Sequence, residues 1–192
     1  MFDTASPRHL SLAELEAALP ATLQSPKDEG TLELVVRRPA LGRRDVLETG
    51  ELDLSTGLVG DTWNIRTSTR TSDGSPHPDM QINVMNSRVI AMLAGEKTRW
   101  GLAGDQLYVD LDLSADNLPP GTQLAIGSAV IEVTAQPHTG CIKFVQRFGV
   151  DAMKFVNSPE RRALHLRGIN ARVVVPGRIR TGDRVRKRPA NG

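Results

Sequence analysis

The sequence predicts a mainly β domain, a β-barrel of short, mostly antiparallel strands with a few peripheral helices. Three observations carry this. Apolar runs are short and closed by Gly or Pro, as in "TLELVVRRP" and "LAIGSAVIEVT", the pattern of half-buried strands joined by tight turns. Few segments carry helix start and stop signals. Strands do not alternate regularly with helices, which argues against a doubly wound parallel sheet and favours a closed or curled β architecture.

The elements follow in chain order. "SLAELEAAL" reads as a short amphipathic helix, with Ser11 and Glu14 in capping-box spacing and Pro20 expected to end it. "SPKDEG" is a polar loop, and "TLELVVRR" (31–38) is a strand closed by Pro39. Residues 45–61 offer short strand-like pieces broken at Gly50, Gly57 and Gly60. Residues 64–79, rich in Ser, Thr, Pro and Gly, form the longest loop-like stretch; loops of that length in compact domains are functional or disordered. "MQINVM" is a buried strand, and "NSRVIAMLAG" a helix begun by Asn86 or Ser87 and stopped at Gly95. "DQLYVDLDL" (105–113) alternates as a strand with one buried face, and "TQLAIGSAVIEVT" is a hairpin turning at Gly127-Ser128. "GVDAMKFVNSPERRAL" is helical in parts, interrupted around Pro159, and "INARVVVPGRIRTGDRVRK" supplies two final strands around a Pro-Gly turn. The expected organisation is an N-terminal helical and extended appendage (1–30), the barrel domain (31–188) and a flexible tail (189–192).

Composition narrows the function classes. Seven aromatics in 192 residues leave little for stacking on single-stranded nucleic acid. No apolar run is long enough to span a bilayer, and "MFDTASPRHL" lacks the basic-then-apolar order of an export signal. A single cysteine excludes an intramolecular disulfide, a CxxC redox pair and a cysteine-rich zinc site. It also fits a reducing compartment, so the expected location is cytoplasmic. The net charge of +2 hides an asymmetry: from Arg161 onward there are ten Lys or Arg and one acid, Asp183. Either this basic segment folds against an acidic body, or it forms an anion site for phosphate or a nucleic-acid backbone.

The lone Cys141 lies in "PHTGCIKFVQRFG" (137–149), just after a strand, beside Gly140 and near His138, Lys143 and Arg147. Neighbouring positive charge favours the thiolate, the nucleophilic and metal-binding form. Equally, a free cysteine is often a small buried hydrophobe, and spacing alone leaves both readings open. A hydrolytic Cys–His pair with His138 lacks a third member. "GLVGD" (57–61) is too short for a phosphate-binding loop and lacks its Lys-Ser/Thr. His77 in "SPHPD" reads as a loop residue.

Taken in order, "GLVGD", "MQINVMNSRVIAML", "LAGDQLYVDLDL", "LPPGTQLAIGSAVIEVT", "TGCIKFVQRFG" and "LRGINARVVVPGRIRTGD" resemble the MOSC family, named for the C-terminal domain of molybdenum cofactor sulfurase. The resemblance covers roughly residues 57–188. It implies a β-barrel whose functional centre is one cysteine, matched here by Cys141. That cysteine either carries sulfur as a persulfide or ligates the metal of a molybdenum–molybdopterin cofactor in enzymes that reduce N-hydroxylated compounds. A thiolate is soft and suits both. The cofactor's phosphate needs basic side chains, for which Arg147 and Arg167 come first, with Lys143, Arg161 and Arg162 as further candidates. Many relatives carry an Asn, often in Arg-Pro-Asn, where this chain has Gly104, Asp105 and Gln106; Gln106 still offers an amide. Pyridoxal phosphate, which belongs to the sulfurase's other domain, is not expected. The implied partners are a separate reductase or a sulfur donor or acceptor protein, together with a small-molecule substrate. The rival readings are a persulfide carrier without turnover and an anion- or nucleic-acid-binding module using the basic C-terminal segment.

Overall fold

The computed structural model describes residues 8–188, so the expected tail (189–192) lies outside the described residues. Its strands are β1 (Glu29–Arg37), β2 (Asp45–Leu47), β3 (Thr49–Asp53), β4 (Gly57–Leu58), β5 (Ile82–Asn86), β6 (Leu107–Asp110), β7 (Gln123–Ile126), β8 (Ala129–Val133), β9 (Ile169–Val175), β10 (Gly177–Arg180) and β11 (Arg184–Lys187). Its α-helices are α1 (Leu12–Thr22), α2 (Ser87–Ala94), α3 (Ile142–Phe148) and α4 (Val150–Asn157). Seven strands run in the order β11-β7-β8-β9-β5-β6-β1, and β1 pairs back onto β11, so the sheet closes into a barrel. Only β5 and β6 are parallel in that ring, so the expected mainly β, mostly antiparallel barrel with peripheral helices is what the chain forms. β2 extends the sheet from β1, and β10, β3 and β4 make a small second sheet. Among the described residues no helix is long and apolar enough to cross a membrane.

Two cores result, because several strands bury both faces. Leu32, Ile82, Val84, Leu107 and Val109 point into the barrel, while Met85 and Tyr108 pack outward with helical residues such as Leu15, Ile90, Phe148 and Phe155. β1 serves both cores by a bulge. Its register against β6 shifts between Leu32 and Leu34, so Leu32 and Val35 lie inside while Leu34 and Val36 face the helices. Without the extra residue, Leu32 and Leu34 would share a face. Close approach in the same strand falls to Gly30, where an added Cβ would sit 1.9 Å from the Asp110 carbonyl oxygen. Gly30→Ala should therefore cost about 2 kcal/mol by forcing β1 and β6 apart. Thermal unfolding of the variant measures this, and an unchanged midpoint would refute it.

Several elements differ from expectation, each for a local reason. α1 continues past Pro20 to Thr22; Pro20 forfeits one ladder bond, and Thr22 Oγ1 donates to the Leu19 carbonyl at 2.8 Å to close the last turn. Its start is as read: Ser11 and Glu14 form a capping box. The 105–113 strand shrinks to 107–110. The last segment holds three strands, not two around a turn. β9 belongs to the barrel and β10 to the small sheet, so Pro176-Gly177 is a crossing point between sheets. Pro176 has no N–H to continue the ladder, and a Cβ at Gly177 would meet Ser128 Oγ at 2.6 Å.

Candidate functional site

Cys141 does not sit at a strand exit. β8 ends at Val133, an extended segment follows, and Cys141 is the residue immediately before α3. α3 was not read from the sequence, although its signal was there: Phe144 and Phe148 are four apart, both buried, with ring centroids 4.8 Å apart. These two rings anchor the helix on the barrel and leave its first residues outside. Cys141 is exposed, and Ile142 beside it is 68% exposed. The thiol is therefore not a core group, which removes the reading of Cys141 as a small buried hydrophobe.

Cys141 opens onto a cleft of about 1000 Å³. Its lining includes Arg38, Arg44, Arg66, Lys143, Arg147 and Arg167, and no Asp or Glu. Three of the expected site residues thus meet at Cys141: Lys143, Arg147 and Arg167. Gln106 does not line it. That side chain is fully buried, its Oε1 accepting from the Asn83 N–H at 2.8 Å and its Nε2 donating to the Gln81 carbonyl at 3.1 Å. Gln106 braces the strands beneath the cleft. Arg161 is also elsewhere, paired with Glu16 at 2.7 Å and stacked 5.0 Å from the Phe155 ring centre, and Arg162 faces a different pocket.

The floor of the cleft is held by two buried ion pairs. The Arg38 fork meets both oxygens of Asp61 at 2.8 Å, while its Nη1 donates to Asn83 Oδ1 at 2.9 Å and to the Gly104 carbonyl at 2.8 Å. This explains "GLVGD": Gly60 turns with φ +80, and Asp61 clamps Arg38. Arg167 Nη1 donates to Asp105 Oδ2 at 2.7 Å, and Nη2 to the Ala103 carbonyl at 2.9 Å. Gly168, next in "LRGIN", has φ +107, and a Cβ there would lie 2.2 Å from the Val84 carbonyl oxygen and 3.2 Å from the His138 ring. Only glycine lets the chain pass and present Arg167.

His138 Nε2 lies 2.6 Å from Asp105 Oδ1, so one buried carboxylate orients both a guanidinium and an imidazole. Burial pushes the Asp105 carboxyl up, but the charges of Arg167 and His138, with their hydrogen bonds, hold it at about 2. Burial and then the Arg167 charge push His138 down, against Asp105. The imidazole is therefore neutral near pH 7, with its Nε2–H donated to Asp105. Burial and then the charges of Arg147 and Arg38 also lower Arg44: the cations of the cleft crowd one another, and an anion there would relieve them. Arg147 anchors by donating to the Leu102 carbonyl. Arg167 Nε is buried without a partner.

Sequence reading missed Arg38, Arg44 and Arg66 as cleft residues, and Asp105 as the orienting carboxylate. A signal existed in "RRPALGRR" (37–44), four arginines in eight residues. The 64–79 stretch contributes Ile65 and Arg66 to the same cleft. The basic C-terminal segment folds against acids: Arg184 and Arg186 pair with Glu29, Arg180 with Glu48 and Arg172 with Glu132. His77 caps a 3-10 turn by accepting from the Asp79 N–H at 3.2 Å, and no cluster of three potential metal ligands occurs among the described residues.

Fold and site together define a class: a closed β-barrel domain presenting one exposed cysteine at the mouth of a cationic, carboxylate-free cleft. A profile of the MOSC domain matches residues 71–186, and the chain belongs to that family. The fold is similar to that of YuaD from Bacillus subtilis, with a TM-score of 0.60 at 20% identity over 82% of this chain and 94% of that one. It is also similar to YiiM from Escherichia coli, with a TM-score of 0.53 at 18% identity over 84% of this chain and 71% of that one. A search of curated protein sequences returns no match.

Proposed function

We propose that the cleft holds a phosphate-bearing molybdenum–pterin cofactor with Cys141 toward the metal, and that the domain reduces N-hydroxylated small molecules. The observation that carries this reading is the cleft itself: four cations without a carboxylate partner, Arg44, Arg66, Lys143 and Arg147, no carboxylate in the lining and the chain's one thiol around about 1000 Å³. The donor set fits the group. A phosphate takes N–H donors and positive charge, offered at the walls by Arg44, Arg66, Lys143 and Arg147. Arg38 and Arg167, neutralised and locked in place by Asp61 and Asp105, form a rigid floor beneath these four. The unpartnered Nε of Arg167 is a further donor beneath the cleft. One protein thiol suffices for a metal whose other soft ligands come with the pterin.

When bound, the cofactor supplies two-electron abstraction of oxygen from an N–O bond. The chain's residues bind, orient and shield. Cations neutralise the phosphate, and the exposed apolar side chains Leu41, Ile65 and Ile142 at the cleft keep water from a seated substrate. His138 holds its Nε2 proton on Asp105 and so presents a fixed neutral ring to the cleft. Electrons come from a separate reductase, since the sequence carries no flavin, haem or iron–sulfur motif.

Purification from a molybdopterin-making host, with molybdenum and oxidised-pterin fluorescence measured per chain, tests the reading. About one of each per chain is expected. Arg44→Glu with Arg66→Glu should lower both. Absence of both from the wild type would overturn it. Persulfide carriage is the second reading, favoured by the exposure of Cys141 and its neighbour Ile142, which leaves the sulfur within reach of a partner's thiol. It predicts cyanide-releasable sulfur stoichiometric with Cys141 and no pterin.

A further inference from the structure

A second cavity, of about 470 Å³, lies beside the cleft, and His138, Thr139 and Arg167 line both. Its character is different. Leu118, Val133 of β8, Val156 of α4 and Ile169 of β9 line it, and each is at most 5% exposed, so its wall is continuous with the packed interior. No Asp or Glu lines it.

Two side chains there keep polar atoms that the fold does not use, the Arg162 guanidinium and Nε2 of His165. Arg161 pairs with Glu16 and Arg167 with Asp105, but the guanidinium of Arg162, on this pocket, has no ion-pair or hydrogen-bond partner among the described residues; only its backbone carbonyl is used, accepting from the His165 N–H at 3.2 Å. His165 is the one non-glycine residue with a left-handed backbone among the described residues, at φ 47. Its Nδ1 lies 2.8 Å from the Leu113 carbonyl oxygen. A carbonyl only accepts, so Nδ1 carries the hydrogen and Nε2 is left available. Left-handed residues of this kind persist where surrounding structure holds them, and they cluster at ligand sites. An apolar pocket of a few hundred Å³ with a few convergent polar groups is the usual form of a small-molecule site.

We infer that this pocket binds a small amphipathic carboxylic acid. The aliphatic or aromatic body lies against Leu118, Val133, Val156 and Ile169, and the carboxylate meets Arg162. One guanidinium fork matches one carboxylate in shape and charge, and the apolar wall gives no counterpart to a multiply charged ligand. The inference is independent of what occupies the Cys141 cleft.

Octanoate is the probe, titrated into the full chain and followed by amide NMR shifts. Saturable shifts at Val156, Arg162 and Ile169 are expected, with roughly millimolar affinity for a ligand of this size. Octanamide, with the same body and no charge, should bind about tenfold more weakly. Arg162→Gln should remove that preference without moving the unfolding midpoint, because Arg162 is exposed. The inference fails if octanamide equals octanoate, or if Arg162→Gln keeps the preference. It fails equally if the shifts centre on Arg44 and Lys143, or if none saturates by about 20 mM.

Discussion

Cys141→Ser should lose molybdenum, keep the pterin and leave the unfolding midpoint within about 2 °C of the wild type. Each part has a separate cause. Serine offers a hard oxygen in place of a soft sulfur, which would remove the protein ligand that the proposed reading gives the metal. On the proposed reading the phosphate is held by other side chains, Arg44, Arg66, Lys143 and Arg147, so the organic part of the cofactor has no reason to leave. Stability is indifferent because the thiol is exposed, and exposed substitutions change folding by about half a kcal/mol or less. The helix after it is anchored by Phe144 and Phe148, not by the sulfur. Metal analysis, pterin fluorescence and a melting curve on one preparation check all three. Molybdenum retained in the variant would remove Cys141 from the metal, and loss of metal together with a large drop in midpoint would show only that the cleft had collapsed.

What the sequence made legible follows from how local each signal is. The hairpin at Gly127-Ser128, the helix begun by Asn86 and the capping box at Ser11 are set by neighbours within a few residues, and all three form as read. Cys141, Lys143 and Arg147 are neighbours in sequence, so their convergence was readable too. Arg38 and Asp61, or Asp105, His138 and Arg167, meet only because the barrel closes, and no spacing rule connects them. Gln106 lies near the motif in sequence, but its amide is turned inward to brace Asn83 and Gln81, an orientation that sequence spacing does not disclose. The Pro176-Gly177 step reads locally as a turn, and becomes a crossing only because β10 finds β3 far away in sequence.

Asp105→Asn should be among the most damaging single changes in the domain, costing about 3 to 5 kcal/mol. That is a fall in midpoint on the order of 10 °C at this chain length. The side chain is fully buried, and the substitution leaves the Arg167 guanidinium as an uncompensated interior charge with an amide N–H₂ turned toward it or toward His138. Size is conserved, so the loss reports charge and hydrogen bonding rather than a cavity. Removing Arg167 as well should recover part of it: the double variant Asp105→Asn, Arg167→Met is expected to be more stable than the sum of the singles by about 1 kcal/mol or more. A purely additive double variant would deny the coupling. The same pair sets an acid limb of stability. Asp105 titrates at about 2 in the folded chain against 3.8 unfolded, so its stabilisation is whole above pH 3.8 and lost as pH falls toward 2, to the extent of about 2 kcal/mol. His138, lowered from 6.5 by burial and Arg167, adds a loss in the same direction as pH drops below 6.5, because the unfolded chain takes the proton more readily. In Asp105→Asn the lower part of that limb should flatten while the His138 part persists. Chemical unfolding from pH 7 to pH 2 separates the two, and an unchanged slope between pH 3.8 and 2 would place the acid sensitivity on other carboxylates.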